Sequence, residues 1–199
     1  MQSSSDVVYE RHIALIGIPN SGKTTLFNSV TGLRQKVGNF PGITVEPKIA
    51  PLRNSSEVVS VIDLPGLYSL QPKSADEQFS INVLQGIDEH VRKPDAVLFV
   101  IDGTNVEKGL TLFAQFRELA IPVAVVVTMI DAIKAQGLVL DDIGLQRALG
   151  VPVFTVVGSK GIGTHELIEA ISQPQTFVVP KSDSNIHSTD EHVECARAL

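Results

Sequence analysis

One cysteine, Cys195, stands in 199 residues, so the chain has no internal disulfide. It opens with no charged segment leading into an apolar one, and with the lone cysteine this points to the cytosol. Long hydrophobic runs are also missing. The longest, 96–101 and 121–127, fall well short of the ~20 residues of a membrane-spanning helix, so the chain as given is expected to be soluble. Positive charge is not in excess: 16 Lys and Arg stand against 22 Asp and Glu, a net charge of −6, which gives no general electrostatic reason to bind nucleic acid. Five histidines, at 12, 90, 165, 187 and 192, are scattered without metal-ligand spacing. What is present is an ordinary globular composition, 43% hydrophobic, at a length that suits one α/β domain with a tail.

Strand and helix signals alternate along that length. Apolar, β-branched runs at 13–17, 58–63, 96–101, 123–128 and 153–157 predict strands buried on both faces. Helical spacing lies between them at 24–31, 78–90, 107–120, 141–149 and 164–172, with Asp141-Asp142 as a cap or a solvated pair. A further strand at 46–52 precedes 58–63 across the polar turn Arg53-Asn54-Ser55-Ser56. That connection makes it the one antiparallel member, at an edge, where Pro47 and Pro51 are tolerated. The fold class expected is α/β, a mostly parallel six-stranded sheet with helices on both faces. Residues 1–10 read as a loose N-terminus, 11–172 as the domain, and 173–199 as a linker running into the start of a truncated helical region, with Thr189 as a candidate N-cap.

Gly17-Ile18-Pro19-Asn20-Ser21-Gly22-Lys23-Thr24 fits G-x-x-x-x-G-K-[ST] between a strand and a helix, the context a phosphate-binding loop needs. Gly17 and Gly22 let consecutive N–H groups turn inward as an anion nest at a helix N-terminus. Lys23 is then expected on the β- and γ-phosphates, and Thr24 on Mg2+. About forty residues on, Asp63-Leu64-Pro65-Gly66 ends a strand. Asp63 suits a magnesium ion held through water, and the Gly66 N–H suits the γ-phosphate, which gives a switch on hydrolysis. Between the two lies Val37-Gly38-Asn39-Phe40-Pro41-Gly42-Ile43-Thr44-Val45-Glu46, an expected mobile loop in which Thr44 closes over Mg2+.

Base recognition is expected at Thr128-Met129-Ile130-Asp131, where a guanine-specific protein usually shows Asn-Lys-x-Asp. The Asp131 carboxylate can accept from both guanine N1–H and the exocyclic amine, a match adenine does not offer. Thr128 has one hydroxyl where Asn has a donor and an acceptor. One or two hydrogen bonds to the base or to neighbouring loops are therefore lost, each worth roughly 0.5–1.5 kcal/mol, which weakens affinity and keeps specificity. Backbone N–H groups of the loop Val157-Gly158-Ser159-Lys160-Gly161 complete the pocket at guanine O6.

With these motifs in this order, the chain resembles a Ras-like P-loop GTPase domain of the TrmE, Era and FeoB kind, and within it the N-terminal G domains of the FeoB ferrous iron transporters. The carrying residues are Pro19-Asn20-Ser21-Gly22-Lys23-Thr24-Thr25-Leu26-Phe27-Asn28, the 37–46 segment, which discriminates best, and Asp63-Leu64-Pro65-Gly66-Leu67-Tyr68-Ser69-Leu70. Similarity covers roughly residues 11–172. The tail matches only in lying where that family places a helical domain coupled to the membrane.

The resemblance implies a GTPase that converts GTP to GDP and phosphate. Its nucleotide contacts would be Gly17, Asn20, Ser21, Gly22, Lys23, Thr24, Thr25, Gly42, Ile43, Thr44, Asp63, Gly66, Thr128, Met129, Asp131, Val157, Gly158 and Ser159. Asn20, Lys23, Thr44 and Gly66 would carry catalysis, and Thr24, Thr44 and Asp63 would hold Mg2+. Leu67 stands where Ras-type enzymes carry the glutamine that orients water. In relatives with Asn at position 20, a K+ ion instead supplies positive charge beside the β,γ-phosphates, held by that Asn and by carbonyls near Gly38 and Phe40. Thr128 for Asn, and Val157-Gly158 where Ser-Ala is usual, depart from the family pattern, as does Phe40 for Trp. The implied setting is the cytoplasmic face of the inner membrane, as part of a larger protein with helical and transmembrane portions. A GTP-loaded binding switch with negligible hydrolysis, and an RNA-associated GTPase like Era or TrmE, remain alternatives; self-association is left open.

Overall fold

The computed structural model describes residues 11–33, 48–55 and 57–181. Six strands form one sheet in the order β2-β3-β1-β4-β5-β6: β1 (Arg11–Gly17), β2 (Lys48–Pro51), β3 (Val59–Asp63), β4 (Ala96–Asp102), β5 (Val123–Thr128) and β6 (Val153–Thr155). All neighbours run parallel except β2 and β3, whose register runs from Lys48 opposite Asp63 to Pro51 opposite Ser60. Pro51 is tolerated because β2 has no outer neighbour to demand its missing N–H. Pro47 lies outside the described residues, as do 1–10 and 182–199.

The near-continuous apolar strands follow from burial on both faces. On one face α1 (Lys23–Thr31) and α6 (Thr164–Ser172) bury Leu26, Phe27, Val30, Leu167, Ile168 and Ile171 against Ile13, Leu15, Val61 and Val126. The other face is covered by α2 (Ala75–Gln85), α3 (Val106–Phe116), α4 (Ile130–Ala135) and α5 (Asp142–Leu149). There Phe99 of β4 meets Phe113 of α3 edge to face at 5.1 Å.

Several boundaries differ from the sequence expectation. α2 begins three residues before 78 because Ser74-Ala75-Asp76-Glu77 is a capping box: the Ser74 hydroxyl accepts from the Glu77 N–H at 3.2 Å, and the Glu77 carboxylate accepts from the Lys73 N–H at 2.7 Å. It stops at Gly86, which takes φ 76° to end the helix, rather than running to 90. The short α4 was not expected. Met129, in the left-handed region at φ 57°, caps its start, and it ends at Ala135, two residues before Gly137. β6 is shorter than 153–157 because Val157 leaves the sheet to bridge Ile162 across a tight hairpin. Asp141 caps α5, its carboxylate accepting from the Gly144 N–H at 2.8 Å. After α6 the chain folds back, so that Val178 exchanges both backbone hydrogen bonds with Val123 at the start of β5.

β1 is the centre of this arrangement. The chain returns to its left as β3 and to its right as β4, so the carboxyl end of β1 is the point where strand order reverses, the place where open α/β sheets bind ligands.

Candidate functional site

The β1–α1 loop springs from that switch point. Gly17 is the last residue of β1, opposite Val100, and a Cβ built on it lies 2.3 Å from the Val100 carbonyl oxygen. Only glycine fits so close to a central strand. The turn that follows uses left-handed backbone at Asn20 (φ 65°) and Gly22 (φ 84°) before α1 begins at Lys23. Asn20 is exposed, and among the described residues no hydrogen bond engages its side chain. The loop holds its own shape by backbone bonds, Ser21 N–H to Ile18 and Leu26 N–H to Gly22.

Lys23 is buried, and its ammonium donates to the Ile18 carbonyl at 3.1 Å. Burial lowers its pKa to about 8, while the nearby Asp63 carboxylate partly restores it. Thr24 donates its hydroxyl to Asp63 Oδ2 at 2.9 Å. Asp63 is itself buried, and Oδ1 has no hydrogen-bond partner among the described residues. Desolvation raises its pKa against the pull of Thr24, Lys23 and Lys48. A buried carboxylate oxygen without a donor, beside a hydroxyl and at the mouth of an anion nest, fits a divalent cation or its water. The donor set is all oxygen, as Mg2+ requires.

The segment after Asp63 is pinned at several points. Gly66 packs on Pro19, where an added Cβ would lie 2.7 Å from the Pro19 nitrogen. Leu67 is fully buried, and its N–H donates to the Gly17 carbonyl at 3.1 Å. The Pro65 carbonyl accepts from the Ser80 hydroxyl at 3.0 Å. Glu77 accepts from the Tyr68 N–H at 3.1 Å as well as from Lys73, and these backbone donors hold its carboxyl below the usual range. The Leu67 side chain is therefore taken up by the core.

On the other side, Thr128 ends β5. Its hydroxyl donates to the Ser21 carbonyl at 2.7 Å and lies 3.2 Å from the Ile101 carbonyl. Thr128 thus keeps one bond to a neighbouring loop: a β-branched hydroxyl at the strand end ties β5 to the phosphate loop, and its only proton is spent there. Met129 turns the chain so that Asp131 enters the first turn of α4. Asp131 Oδ2 meets Lys160 Nζ at 2.8 Å, and that contact holds the Asp131 carboxyl below the usual range. Lys160 sits in the hairpin closed by the Val157–Ile162 bridge, with its N–H donating to the Val157 carbonyl at 3.0 Å. Gly158 packs against Thr25 at the start of α1, where an added Cβ would meet Thr25 Cγ2 at 3.3 Å.

Four sequence-predicted segments thus converge: the phosphate loop, Asp63 to Gly66, Thr128 to Asp131, and Val157 to Ser159. Gly38, Phe40, Gly42, Ile43 and Thr44 lie outside the described residues. The family model described as Ferrous iron transport protein B, FeoB_N, matches residues 11–171. The chain belongs to the FeoB N-terminal domain family. It is 41% identical to the Fe(2+) transporter FeoB of Salmonella typhimurium over 165 residues, 81% of this chain and 21% of that protein. It is similar to the mGMPPNP-bound NFeoB of S. thermophilus, with TM-score 0.70 and 40% identity over 79% of this chain and 59% of that one. The S. thermophilus NFeoB bound to GDP.AlF4- and K+ matches with TM-score 0.73 and 36% identity, covering 94% of this chain and 70% of that one. The chain spans about a fifth of the length of the curated FeoB relatives it matches. No helix among its described residues is long and apolar enough to cross a membrane.

Against the FeoB pattern, three contributors escaped sequence reasoning. Glu77 carried a signal, the Ser74-x-x-Glu77 capping box, that was available and unused. Lys160 carried none, because its partner belongs to a different loop. The Ser21 carbonyl is a backbone group that no side-chain motif reveals. Thr128→Val preserves shape and removes the donor, leaving the buried Ser21 carbonyl short of that bond. The expected cost is about 1–3 kcal/mol, read as a lower urea midpoint at unchanged slope. An unchanged midpoint would show that the tie contributes nothing.

Proposed function

We propose that this chain is the GTP-binding and GTP-hydrolysing switch domain of a ferrous iron transporter, working at the cytoplasmic face of the inner membrane. The observation that carries this reading is the Lys23–Thr24–Asp63 cluster at the end of β1, with Asp131 across the sheet where a guanine edge would meet it. Family membership and the nucleotide-bound S. thermophilus relatives support it. The proposed domain organisation is a GTPase unit over 11–172, preceded by residues 1–10 and followed by 173–199, which lead toward the helical and transmembrane portion of a larger protein.

In this mechanism the Gly17 to Thr25 backbone, with Ser21, Gly22 and Thr25, binds the phosphates, and Lys23 moves its ammonium from the Ile18 carbonyl to β- and γ-phosphate oxygens. Thr24, Asp63 and Thr44 would hold Mg2+, and Asn20 with the Gly38 and Phe40 carbonyls would hold K+; these cations would supply positive charge where negative charge develops. Asn20 suits that role because its side chain is exposed and makes no hydrogen bond among the described residues. Gly66 would bond the γ-phosphate through its N–H, and Gly42, Ile43 and Thr44, outside the described residues, are further proposed nucleotide contacts. Met129 and Asp131 hold the guanine, whose O6 faces Val157, Gly158 and Ser159, while Thr128 braces the loop. With Leu67 buried, no side chain at that position orients the attacking water, so hydrolysis is slow and depends on the monovalent cation.

The test is GTP turnover in KCl and NaCl at matched ionic strength, with Asn20→Ala alongside. Stimulation by K+ of tenfold or more that disappears in the variant is the expected result, since one well-placed donor to the transition state is worth about 10²–10³ in rate. Equal slow rates in both salts, with GTP still bound, would replace this mechanism with the second reading that buried Leu67 favours: a switch driven by GTP loading, with hydrolysis nearly irrelevant.

A further inference from the structure

Asp131 is the one carboxylate through which the proposed pocket reads guanine, and one of its two oxygens is engaged by the protein itself. Lys160 Nζ lies 2.8 Å from Asp131 Oδ2. The pair joins the two loops between which the base edge must enter, the β5–α4 turn and the hairpin after β6. Neither loop drifts there by chance. The hairpin is fixed by the Val157–Ile162 bridge, by the Lys160 N–H on the Val157 carbonyl, and by Gly161 and Gly163 at φ 68° and 73°. An added Cβ on Gly163 would lie 2.3 Å from the Thr155 carbonyl oxygen, so that exit from the hairpin admits only glycine. On the facing side, Met129 takes the left-handed turn that delivers Asp131.

We infer that Lys160 is a latch on the guanine pocket: its ammonium stands in for the base on Asp131 and must be displaced for guanine to bind. This rests on the proposed guanine reading of Asp131. Guanine presents two adjacent donors, N1–H and the exocyclic amine, and a bidentate grip needs both carboxylate oxygens. An ammonium on Oδ2 competes with that grip directly. Hypoxanthine presents only N1–H, and it shares the carboxylate with Lys160 by taking the other oxygen. The latch therefore lowers affinity for guanine nucleotides more than for inosine nucleotides, and it speeds guanine release by supplying a replacement partner as the base leaves. Both side chains are partly exposed, 58% for Lys160 and 39% for Asp131. An exposed pair of this kind is weak, so the latch modulates affinity by a few-fold and does not close the pocket.

The experiment measures equilibrium binding and release of GDP and IDP, with ADP as reference, on wild type, Lys160→Met and Lys160→Arg. Methionine keeps an unbranched apolar stem and removes the charge; arginine keeps the charge and the contact. Lys160→Met is expected to bind GDP about two- to fivefold more tightly, to release it correspondingly more slowly, and to leave IDP affinity nearly unchanged, while Lys160→Arg behaves as wild type. Weaker GDP binding by Lys160→Met would overturn the latch and make Lys160 a support that orients Asp131. Equal gains for GDP and IDP would overturn it as well, since the effect would not pass through the second oxygen. If wild type binds ADP as well as GDP, the guanine reading of Asp131 fails and the latch with it, whereas a GDP preference untouched by Lys160→Met removes the latch alone.

Discussion

Lys23→Met is expected to abolish GTP binding while leaving the nucleotide-free fold as stable as wild type or more so. Both halves follow from where the ammonium sits. Without phosphate it is buried on a single carbonyl, that of Ile18, with a pKa lowered to about 8 by desolvation. The Asp63 carboxylate offsets only part of that cost. A drop from 10.5 to about 8 corresponds to a penalty on the order of 3 kcal/mol for keeping the charge in the folded state. Methionine fills similar space and carries no charge to desolvate. Its loss is felt only when a triphosphate arrives, because two charge-assisted bonds to phosphate oxygens, each worth about 1.5–3 kcal/mol, are then missing. Affinity should fall at least ~100-fold.

Thermal melts with and without GTP and Mg2+ read both effects: wild type gains stability from nucleotide and the variant does not. The pH dependence supplies an independent signature. Between the folded pKa of about 8 and the unfolded value of 10.5, the unfolded chain binds the proton and the folded chain does not, so nucleotide-free stability rises with pH through that window. The penalty is fully present below it and gone above it. The difference between wild type and Lys23→Met should therefore shrink as pH climbs from 8 toward 10.5. A variant that is markedly less stable at pH 7 would mean that Lys23 supports the fold through Asp63, and the account of a strained, phosphate-seeking lysine would fail.

What the sequence made legible, and what it hid, divides along the distance between interacting groups. The phosphate loop could be read because its chemistry is contiguous, from Gly17 to Thr24, and its strand and helix flank it directly. The sheet could be read because strands buried on both faces show as unbroken apolar runs, and because the polar turn at 53–56 forces β2 to pair antiparallel with β3. Leu67 was visibly not glutamine, but its burial under the Gly17 carbonyl was not visible. Thr128 was recognised as a departure, yet its hydroxyl reaches the Ser21 carbonyl 107 residues away, and no local pattern encodes that choice. The same holds for Lys160 on Asp131, where two loops meet only because β5 and β6 are neighbours. α4 was hidden for a different reason: its six residues begin inside the base-recognition motif and are too few to show helical periodicity.

Gly17→Ala is expected to destabilise the domain by about 3 kcal/mol, although it adds one methyl group. The added carbon would lie 2.3 Å from the Val100 carbonyl oxygen and 3.0 Å from Ser21 Oγ. A clash with a flexible side chain would be relieved by a rotamer change, but Val100 is backbone in β4, flanked by β1 and β5. To make room, β1 must pull away from β4 at its carboxyl end or the loop must re-form, and overpacking of this kind costs about 1–3 kcal/mol, occasionally more. For a domain of this size that is a fall in Tm of roughly 6–12 °C. Gly150→Ala is the matched control, since Gly150 has left-handed backbone at φ 68° but open space around it, so only the backbone penalty of about 1–2 kcal/mol applies. A larger loss at Gly150 than at Gly17 would sink the steric account. The expected order ties stability to the site itself: the same close approach that lets the β1–α1 loop turn its N–H groups inward leaves no room for a Cβ beside the Val100 carbonyl, where phosphate is proposed to bind.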